Sequence, residues 1–575
     1  MTDKVKGQLP GFNWRVYLVY AALSVCVGVI GWKVTTLHVL ERDFLQGQGD
    51  ARTVRTEEIA AHRGIITDRN GEPLAVSTPV RSIWVNPKEI IRDDQAILRL
   101  AELLELNASV LSTNIENNSG REFLYVKRRL PPADADSILA LGLTGVYAQQ
   151  EYQRYYPQGE VAAHLIGFTN VDDVGQEGVE LTYEDWLRGV PGSQMVMKDR
   201  RGRIIQELNT LATAEPGRNL ELSIDFRLQN LAYRELKEEF VKRQAKSGSA
   251  VIMDVDTGEV LAMVNQPSYN PNNKSNMTDF DVMRNRAITD VFEPGSTVKA
   301  FTVAAALESG LYTPQTLVET RGWMMVEGKE VKDSLNYGTL TVEKIITKSS
   351  NVGSSKIALK IGPEPIRDLM ARVGFGEVIG TGFPGERGGV LPNHRRWSQI
   401  EIATLSYGYG LSVSALQLAR AYTTLASGGI KKPVFLLKLS AAETDTYPRE
   451  RVLDAQIAAD VTAMLETVVD PDLGGTAVEA NVPFYHVAGK TGTSRVVGEF
   501  GYQEDNHNSL FVGYAPAENP EIVVVVIINE PQGEEHYGGQ VAAPVFSRIV
   551  AGAMRILNVP PDKQEPARLM DVTRL

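Results

Sequence analysis

The stretch from Phe292 to Gly310, FEPGSTVKAFTVAAALESG, places a serine and a lysine three residues apart at the start of a predicted helix. Pro294 and Gly295 interrupt regular structure, and the alanine-rich residues after them predict a helix that ends at Gly310. Ser296 would then lie at or near the helix N-terminus, with Lys299 on the same face. Free first-turn amides stabilise an oxyanion, and a neutral lysine amine can remove a hydroxyl proton. Such a base needs a lowered pKa, from burial or from a second cation.

A serine and a lysine at this spacing occur often by chance, and alone they predict only a helix cap and a surface cation. Two further groups strengthen the chemical interpretation. Ser349 and Asn351 stand two apart between two helical segments, and Lys490-Thr491-Gly492-Thr493 opens a predicted strand. Glycine within a strand allows another backbone to approach closely. The three groups together predict one active site built around Ser296.

The Gly-Lys-Thr sequence at residues 489–491 also resembles the end of a phosphate-binding loop. That loop requires a glycine five positions before the Gly-Lys pair, and Phe484 stands there. The residues after it, Ser494 to Val497, predict a strand, whereas a phosphate loop continues into a helix. A nucleotide site is therefore excluded.

Length and composition limit the other classes of function. A chain of 575 residues predicts two or three domains. Its net charge of −12, without a basic stripe, argues against a nucleic-acid binder. Seven histidines and a single cysteine, Cys26, provide no spaced set of metal ligands. We therefore expect no metal and no disulfide.

An uncharged run from Val16 to Trp32 predicts a membrane span. It is bounded by tryptophans, Trp14 and Trp32, and preceded by basic residues, which orients the N-terminus towards the cytoplasm. A cleaved signal peptide is disfavoured because no small-x-small cleavage site follows, and a buried soluble helix is the other alternative. We expect a cytoplasmic N-terminus over 1–15 and an anchor over 16–38.

The second half of the chain predicts an α+β domain. Phe226–Phe240 has helical spacing of apolar residues, and Ala250–Val264 predicts a hairpin. Leu510–Tyr514 and Ile522–Ile528 predict strands, and Ala543–Leu557 a closing helix. Strands at both ends with helices between them indicate one antiparallel sheet flanked by helices.

The three groups, taken in order, resemble those of class B penicillin-binding proteins, members of the penicilloyl serine transferase family. The resemblance extends over nearly the whole chain, through stretches such as RGIITDRNG, GQEGVE, GTGFPGE and FVGYAP. It is greatest to the septal peptidoglycan D,D-transpeptidases of Gram-negative bacteria. It implies an elongated mixed α/β pedestal of the dimerisation type over 39–225. A transpeptidase domain, with a helical subdomain, follows over 226–560, and a tail over 561–575.

The resemblance also implies a role for each site residue and no cofactor. Ser296 is the nucleophile and Lys299 its general base. Ser349 relays a proton to the leaving amine with the help of Lys490, and Asn351 orients Lys299. Thr491, Gly492 and Thr493 form the strand edge that binds the substrate and its terminal carboxylate.

The implied substrates are peptidoglycan stem peptides ending in D-Ala-D-Ala, with β-lactams as covalent inhibitors. The implied location is the bacterial inner membrane at the septum, with one span and a periplasmic catalytic domain. A polytopic membrane glycosyltransferase and other division-complex proteins are the implied partners.

Four alternatives remain open on sequence: an elongation-type transpeptidase, a β-lactam hydrolase or sensor, a carboxypeptidase, and a structural subunit. A hydrolase needs a base for water, and Glu377, Glu386 and Glu401 are candidates. Ser350 stands where class A β-lactamases have aspartate, which favours a transferase.

Overall fold

The structure is a computed structural model that describes residues 14–44, 53–90, 93–198, 204–273, 279–498 and 501–563. Contacts divide the chain into two compact units. The first comprises residues 1–61, 79–152 and 190–216, and the second comprises 62–78, 153–189 and 217–575. Three segments of the predicted pedestal thus group with the second unit. The predicted boundary at residue 225 stays a prediction, and most of the N-terminal segment and of the tail lies outside the described residues.

The first unit contains two sheets and a set of short helices. Strands Val54–Ile59, Gly192–Lys198 and Ile204–Ala212 form an antiparallel sheet. The end of strand Pro73–Val85 pairs with Leu124–Leu130 and lies over a separate apolar core. The remaining elements of this unit are strand Val146–Tyr155, which ends in the second unit, and helices Pro87–Ile90, Asp94–Leu103, Ala108–Asn117 and Pro132–Leu139.

Helix α1, Trp14–Thr35, continues as a wider turn over Thr36–Leu40. Among the described residues this is one stretch long and apolar enough to cross a membrane, and no residue of α1 is buried. The predicted anchor over 16–38 lies within the stretch Trp14–Leu40. A helix that is apolar all round and unburied by protein is typical of a membrane span.

The second unit is built on a five-stranded antiparallel sheet. In chain order its strands are β1 (Ser247–Asp254), β2 (Val260–Gln266), β3 (Ala488–Gly498), β4 (Gly501–Ala515) and β5 (Ile522–Asn529). The spatial order is β2-β1-β5-β4-β3, so β3 forms one edge. The predicted hairpin and both predicted downstream strands are confirmed, as is the α+β class. The continuous apolar run IVVVVIIN suits β5 because this central strand is buried on both faces.

Helices cover both faces of this sheet. α2 (Phe226–Lys242) and α6 (Gly538–Ile556) pack on one face, where Phe546 contacts Phe511 edge-on with ring centroids 4.6 Å apart. On the other face the hydroxyl of Tyr514 lies 2.7 Å from that of Thr462. Side chains alternate between faces along a strand, so Phe511 and Tyr514 join the sheet to separate helical layers.

The helices between β2 and β3 contain predicted site residues, with Lys299 and Asn351 each at the start of a helix. α3 (Lys299–Glu308), α4 (Asn351–Ile361) and α5 (Ala415–Ala426) are the principal ones, and every residue of α5 is buried. The other elements of the second unit are helices Ala163–Ile166, Gly178–Thr182, Glu184–Leu187, Phe280–Met283, Arg286–Thr289, Val342–Thr347, Pro363–Arg372, Gln399–Leu405, Ala441–Thr444 and Ala455–Glu466, with strands Ile66–Thr67, Leu220–Glu221, Leu317–Glu319, Trp323–Val326, Lys329–Lys332, Thr339–Thr341, Ile430–Lys431 and Glu450–Arg451.

Phe546→Ala is expected to destabilise the second unit strongly, because the fully buried ring leaves a cavity between α6 and β4. Losses of about 3–5 kcal/mol are usual for such changes. Thermal unfolding should show a clear fall in the melting temperature. Phe280→Ala is the matched control, since that side chain is 81% exposed and its loss should change little. Equal melting temperatures for the two variants would contradict this packing.

Candidate active site

Ser296 lies in a single tight turn that leads into α3. The predicted helix is thus divided: Gly295–Val298 form a 3-10 turn, and the α-helix begins at Lys299. The hydroxyl of Tyr422 on α5 donates to the carbonyl oxygen of Thr297 at 2.7 Å and fixes this turn. Gly408 has φ of +89°, and a Cβ there would come within 2.1 Å of the Gly295 oxygen. Only glycine therefore allows the 408 loop to pass this close to the serine turn.

The amine of Lys299 contacts three other residues of the predicted site. Its Nζ lies 2.9 Å from Ser296 Oγ and 2.7 Å from Asn351 Oδ1. It also lies 2.6 Å from the backbone oxygen and 3.3 Å from the Oγ of Ser349. The predicted proximity of Ser296 and Lys299 is confirmed, and Lys299 is fully buried.

The surroundings of Lys299 favour its neutral amine. Burial lowers its pKa well below the usual value, the charge of Lys490 lowers it further, and Asp333 opposes both. A cation removed from water without a contacting carboxylate loses its solvation and gains no opposite charge. Burial and a second cation are the two causes of a lowered pKa that the sequence analysis considered for Lys299. A neutral Nζ at hydrogen-bond distance from a hydroxyl has the geometry of a general base.

Lys490, on β3, reaches the same serine pair from the sheet side. Its Nζ lies 3.0 Å from Ser349 Oγ and 3.1 Å from Thr491 Oγ1. The side chain is fully buried, and burial lowers its pKa to about 7. The two amines, of Lys299 and Lys490, therefore meet at the hydroxyl of Ser349.

The rest of the predicted strand motif shapes the cleft edge. A Cβ on Gly492 would approach the oxygen of Pro294 to 2.8 Å, so glycine lets β3 run against the serine turn. Thr491 Oγ1 lies 3.3 Å from Thr476 Oγ1, and Thr493 Oγ1 accepts from the backbone N–H of Gly538 at 3.1 Å. Within the described chain the outer edge of β3 has no strand partner, so its backbone groups are available to a peptide.

Asp333 is a site residue that the sequence did not reveal. Its carboxylate accepts from the backbone N–H of Asn351 at 2.6 Å and of Val352 at 3.0 Å. It also accepts from the Ser350 hydroxyl at 2.6 Å. A carboxylate at a helix N-terminus satisfies free amides and is favoured by the helix dipole. Asp333 thereby fixes the first turn of α4, and with it Asn351.

Ser349 is held in an unusual backbone conformation just before that turn. Its φ is +56°, in the left-handed region that residues with a side chain rarely adopt. The contacts of its backbone oxygen and hydroxyl with Lys299 and Lys490 compensate for this strain. The conformation places both oxygens towards the amines.

The three glutamates considered as water-activating bases have other partners. Glu386 accepts from the backbone N–H groups of Gly380 and Thr381, both at 2.9 Å. Glu377 lies 3.1 Å from Lys431. Glu401 caps its own helix, accepting from Ser398 N at 2.9 Å. Their carboxylates are thus engaged in loop and helix stabilisation.

A serine hydroxyl in contact with a buried lysine amine, with a second lysine one hydroxyl away, is typical of serine acyl-transferring enzymes. Comparisons with known proteins agree with this class. Residues 248–551 match the penicillin-binding protein transpeptidase domain, and residues 58–222 match the penicillin-binding protein dimerisation domain.

Individual relatives are similar over almost their full lengths. The chain is 44% identical to the peptidoglycan D,D-transpeptidase FtsI of Escherichia coli, covering 98% of this chain and 95% of that one. It is 43% identical to the probable peptidoglycan D,D-transpeptidase PbpC of Pseudomonas aeruginosa, covering 96% of each.

Solved structures show the same fold. A peptidoglycan synthetase from Bifidobacterium adolescentis has a TM-score of 0.69 at 25% identity, over 89% of this chain and 98% of that one. The transpeptidase domain of Burkholderia pseudomallei penicillin-binding protein 3 has a TM-score of 0.54 at 45% identity, over 60% and 98%. The chain belongs to the penicillin-binding protein transpeptidase family. The apolar α1, in a chain so similar to these relatives, indicates a membrane-anchored protein.

Asp333→Asn is expected to slow acylation by penicillin between about tenfold and a hundredfold, because small displacements of reacting groups are that costly. Since Asp333 raises the pKa of Lys299, its neutralisation should also lower that pKa. The acid limb of the acylation rate profile, where Lys299 becomes protonated, should then move to lower pH. Rates with a fluorescent penicillin across pH measure both effects.

Asp368→Asn is the control, because its side chain is 65% exposed and pairs with Arg367. That variant should keep the wild-type profile. An acid limb of Asp333→Asn that stays in place or moves to higher pH would rule out this role for Asp333.

Proposed function

We propose that this chain is a peptidoglycan D,D-transpeptidase that crosslinks stem peptides through an acyl-enzyme on Ser296. The contact of Lys299 Nζ with Ser296 Oγ, Ser349 and Asn351 Oδ1 carries the proposal. Similarity to proteins named peptidoglycan D,D-transpeptidase over almost the whole chain supports it.

In the first half-reaction Ser296 attacks the carbonyl carbon between the two terminal D-alanines. Its proton passes to the neutral Nζ of Lys299, 2.9 Å away. The resulting oxyanion is held by the backbone N–H groups of Ser296 and Thr493, as the family implies. Ser349 Oγ lies between the two amines, so it can pass a proton from Lys299 to the departing D-alanine nitrogen. The C–N bond breaks and an ester on Ser296 remains.

In the second half-reaction the amine of another stem peptide takes the place of the departed D-alanine. By microscopic reversibility the amine passes its proton through Ser349 to Lys299 as the new amide bond forms. Lys299 then returns a proton to the Ser296 oxygen as the ester C–O bond breaks. A β-lactam follows the first half-reaction, with its ring amide in place of the D-Ala-D-Ala bond. It leaves Ser296 acylated.

The sheet edge supplies substrate binding. A peptide added beside β3 would pair with its free backbone groups. Its terminal carboxylate would meet Lys490, Thr491 and Thr493, where a charge-assisted bond is stronger than a neutral one. With a pKa of about 7, Lys490 is cationic in a substantial fraction of molecules near neutral pH.

The transferase is favoured over a hydrolase of the same fold because the three candidate bases for water have other partners. We extend the proposal to location and partners: a single-pass inner-membrane protein with its catalytic unit in the periplasm at the division septum. There it would contact a polytopic membrane glycosyltransferase and other division-complex proteins. The resemblance of the whole sequence to septal enzymes supports this extension.

Ser296→Ala should abolish covalent labelling by a fluorescent penicillin, because the variant has no oxygen to form the ester. The label is followed after denaturing electrophoresis of the full-length protein. Ser309→Ala, at the exposed end of α3, is the control and should label like wild type. Label retained on the Ser296→Ala protein would remove the nucleophile assignment.

A fluorescent protein fused to the N-terminus should collect at mid-cell in dividing bacteria, because the proposal places the enzyme at the septum. Fluorescence microscopy of cells with a marked division ring measures this directly. Freely expressed fluorescent protein provides the background pattern. Signal along the side wall would favour the elongation-type alternative instead.

A further inference from the structure

Two histidines stack beside the strand that borders the cleft. His507 on β4 and His536 in the loop before α6 have ring centroids 4.3 Å apart and planes inclined by 24°. The Tyr537 ring adjoins His536 at 4.5 Å. Both imidazoles are partly exposed. The reaction proposed above uses neither of them.

Hydrogen bonds fix the same tautomer on both rings. His507 Nδ1 lies 3.3 Å from the backbone oxygen of Asp505, and His536 Nδ1 lies 3.1 Å from that of Glu534. A carbonyl oxygen only accepts, so each Nδ1 carries the hydrogen. Each Nε2 is then the atom that gains a proton, and neither Nε2 has a hydrogen bond to any described residue.

Hydrogen bonds connect the pair to β4 and to the edge strand β3. The hydroxyl of Ser509 donates to the backbone oxygen of His536 at 2.5 Å, and Ser509 is the cross-strand partner of Thr493. Thr493 Oγ1 accepts from the N–H of Gly538, two residues after His536. The same residue that would bind the substrate carbonyl thus fixes the loop carrying one of the imidazoles.

The surroundings of His507 favour its neutral form. Burial, followed by His536 and then Arg495, lowers the pKa of His507, and Asp505 opposes them. Glu534 contributes a backbone contact to His536. The other carboxylates of the loop are neutralised by basic partners, Glu530 by Lys246 and Glu535 by Arg243. A negatively charged ligand would therefore be the group that stabilises a protonated imidazole here.

We propose that His507 and His536 form an anion subsite for a carboxylate on the acyl donor. This carboxylate belongs to the part of the donor that stays attached to the attacked carbonyl when the leaving group departs. This inference rests on the proposed function. In a stem peptide the fitting group is the side-chain carboxylate of a diamino diacid preceding D-Ala-D-Ala. In a β-lactam it is a carboxylate on the acyl side chain.

The position of the pair relative to β3 supports this ligand. A peptide paired to the outer edge of β3 runs past Thr493 towards Arg495, whose cross-strand partner is His507. From that peptide to β4 there are two strand spacings, roughly 10 Å. A long diacid side chain can cross this distance over the face of β3, whereas the alanine methyl groups cannot.

The test compares two penicillins that differ by one carboxylate: benzylpenicillin and its α-carboxylate derivative. Acylation rate constants of the full-length protein in detergent are measured by competition with a fluorescent penicillin at about pH 5.5 and pH 8, which bracket histidine titration. The ratio of the two constants cancels every effect of Lys299 and Lys490 common to both compounds. Because imidazolium attracts the added carboxylate, the ratio should rise roughly fivefold at the lower pH.

His507→Phe and His536→Phe retain a stacked ring and should make this ratio independent of pH. His394→Phe is the control; the His394 ring meets the Trp397 ring edge-on with centroids 4.8 Å apart, and the variant should behave like wild type. A ratio that is flat in wild type, or that still rises in both ring variants, overturns the subsite while benzylpenicillin acylation upholds the proposed function. If neither penicillin acylates the wild-type protein, the proposed function fails, and this inference fails with it.

Discussion

Two lysine amines are buried together, with no carboxylate of the described residues in contact with either, and the active site depends on this arrangement. Lys299 and Lys490 are both fully buried, and within the described chain their partners are hydroxyl, amide and carbonyl oxygens. Such oxygens bind an amine in either protonation state, so they do not force it to be an ammonium. Burial then lowers the pKa of both amines, and the charge of Lys490 lowers the pKa of Lys299 further. A surface lysine would stay protonated and could not act as a base.

The fold maintains this burial by bringing together three segments that are distant in the chain. The serine turn lies between α3 and β3, and glycine at 492 permits that close contact. Because β3 is paired to β4 along almost its whole length, Lys490 extends from a rigid sheet. The third segment, around Ser349, is fixed by the first turn of α4. Each segment thus has its own support, and the polar groups meet with little freedom to reorient.

Local chemistry made much of this predictable from sequence. Alternating and continuous apolar runs identified the hairpin and the central strands, and helical spacing identified α2 and most of α6. The division of the serine helix into a turn and α3 was missed, because the contacts responsible come from Tyr422 and Gly408, over a hundred residues away. Asp333 was missed for a similar reason. It lies after a short hairpin, and nothing near it in sequence marks it as the acceptor for the first amides of α4.

The position of Asp333 also affects the protonation of Lys299. A carboxylate in direct contact with Lys299 would hold the amine protonated and abolish its basicity. With no carboxylate nearby, two buried amines would face only each other's repulsion. Asp333 instead directs its oxygens to the Asn351 and Val352 amides and to the Ser350 hydroxyl, and acts on Lys299 through space. Its negative charge therefore stabilises the helix end directly, while it only moderates the pKa of Lys299.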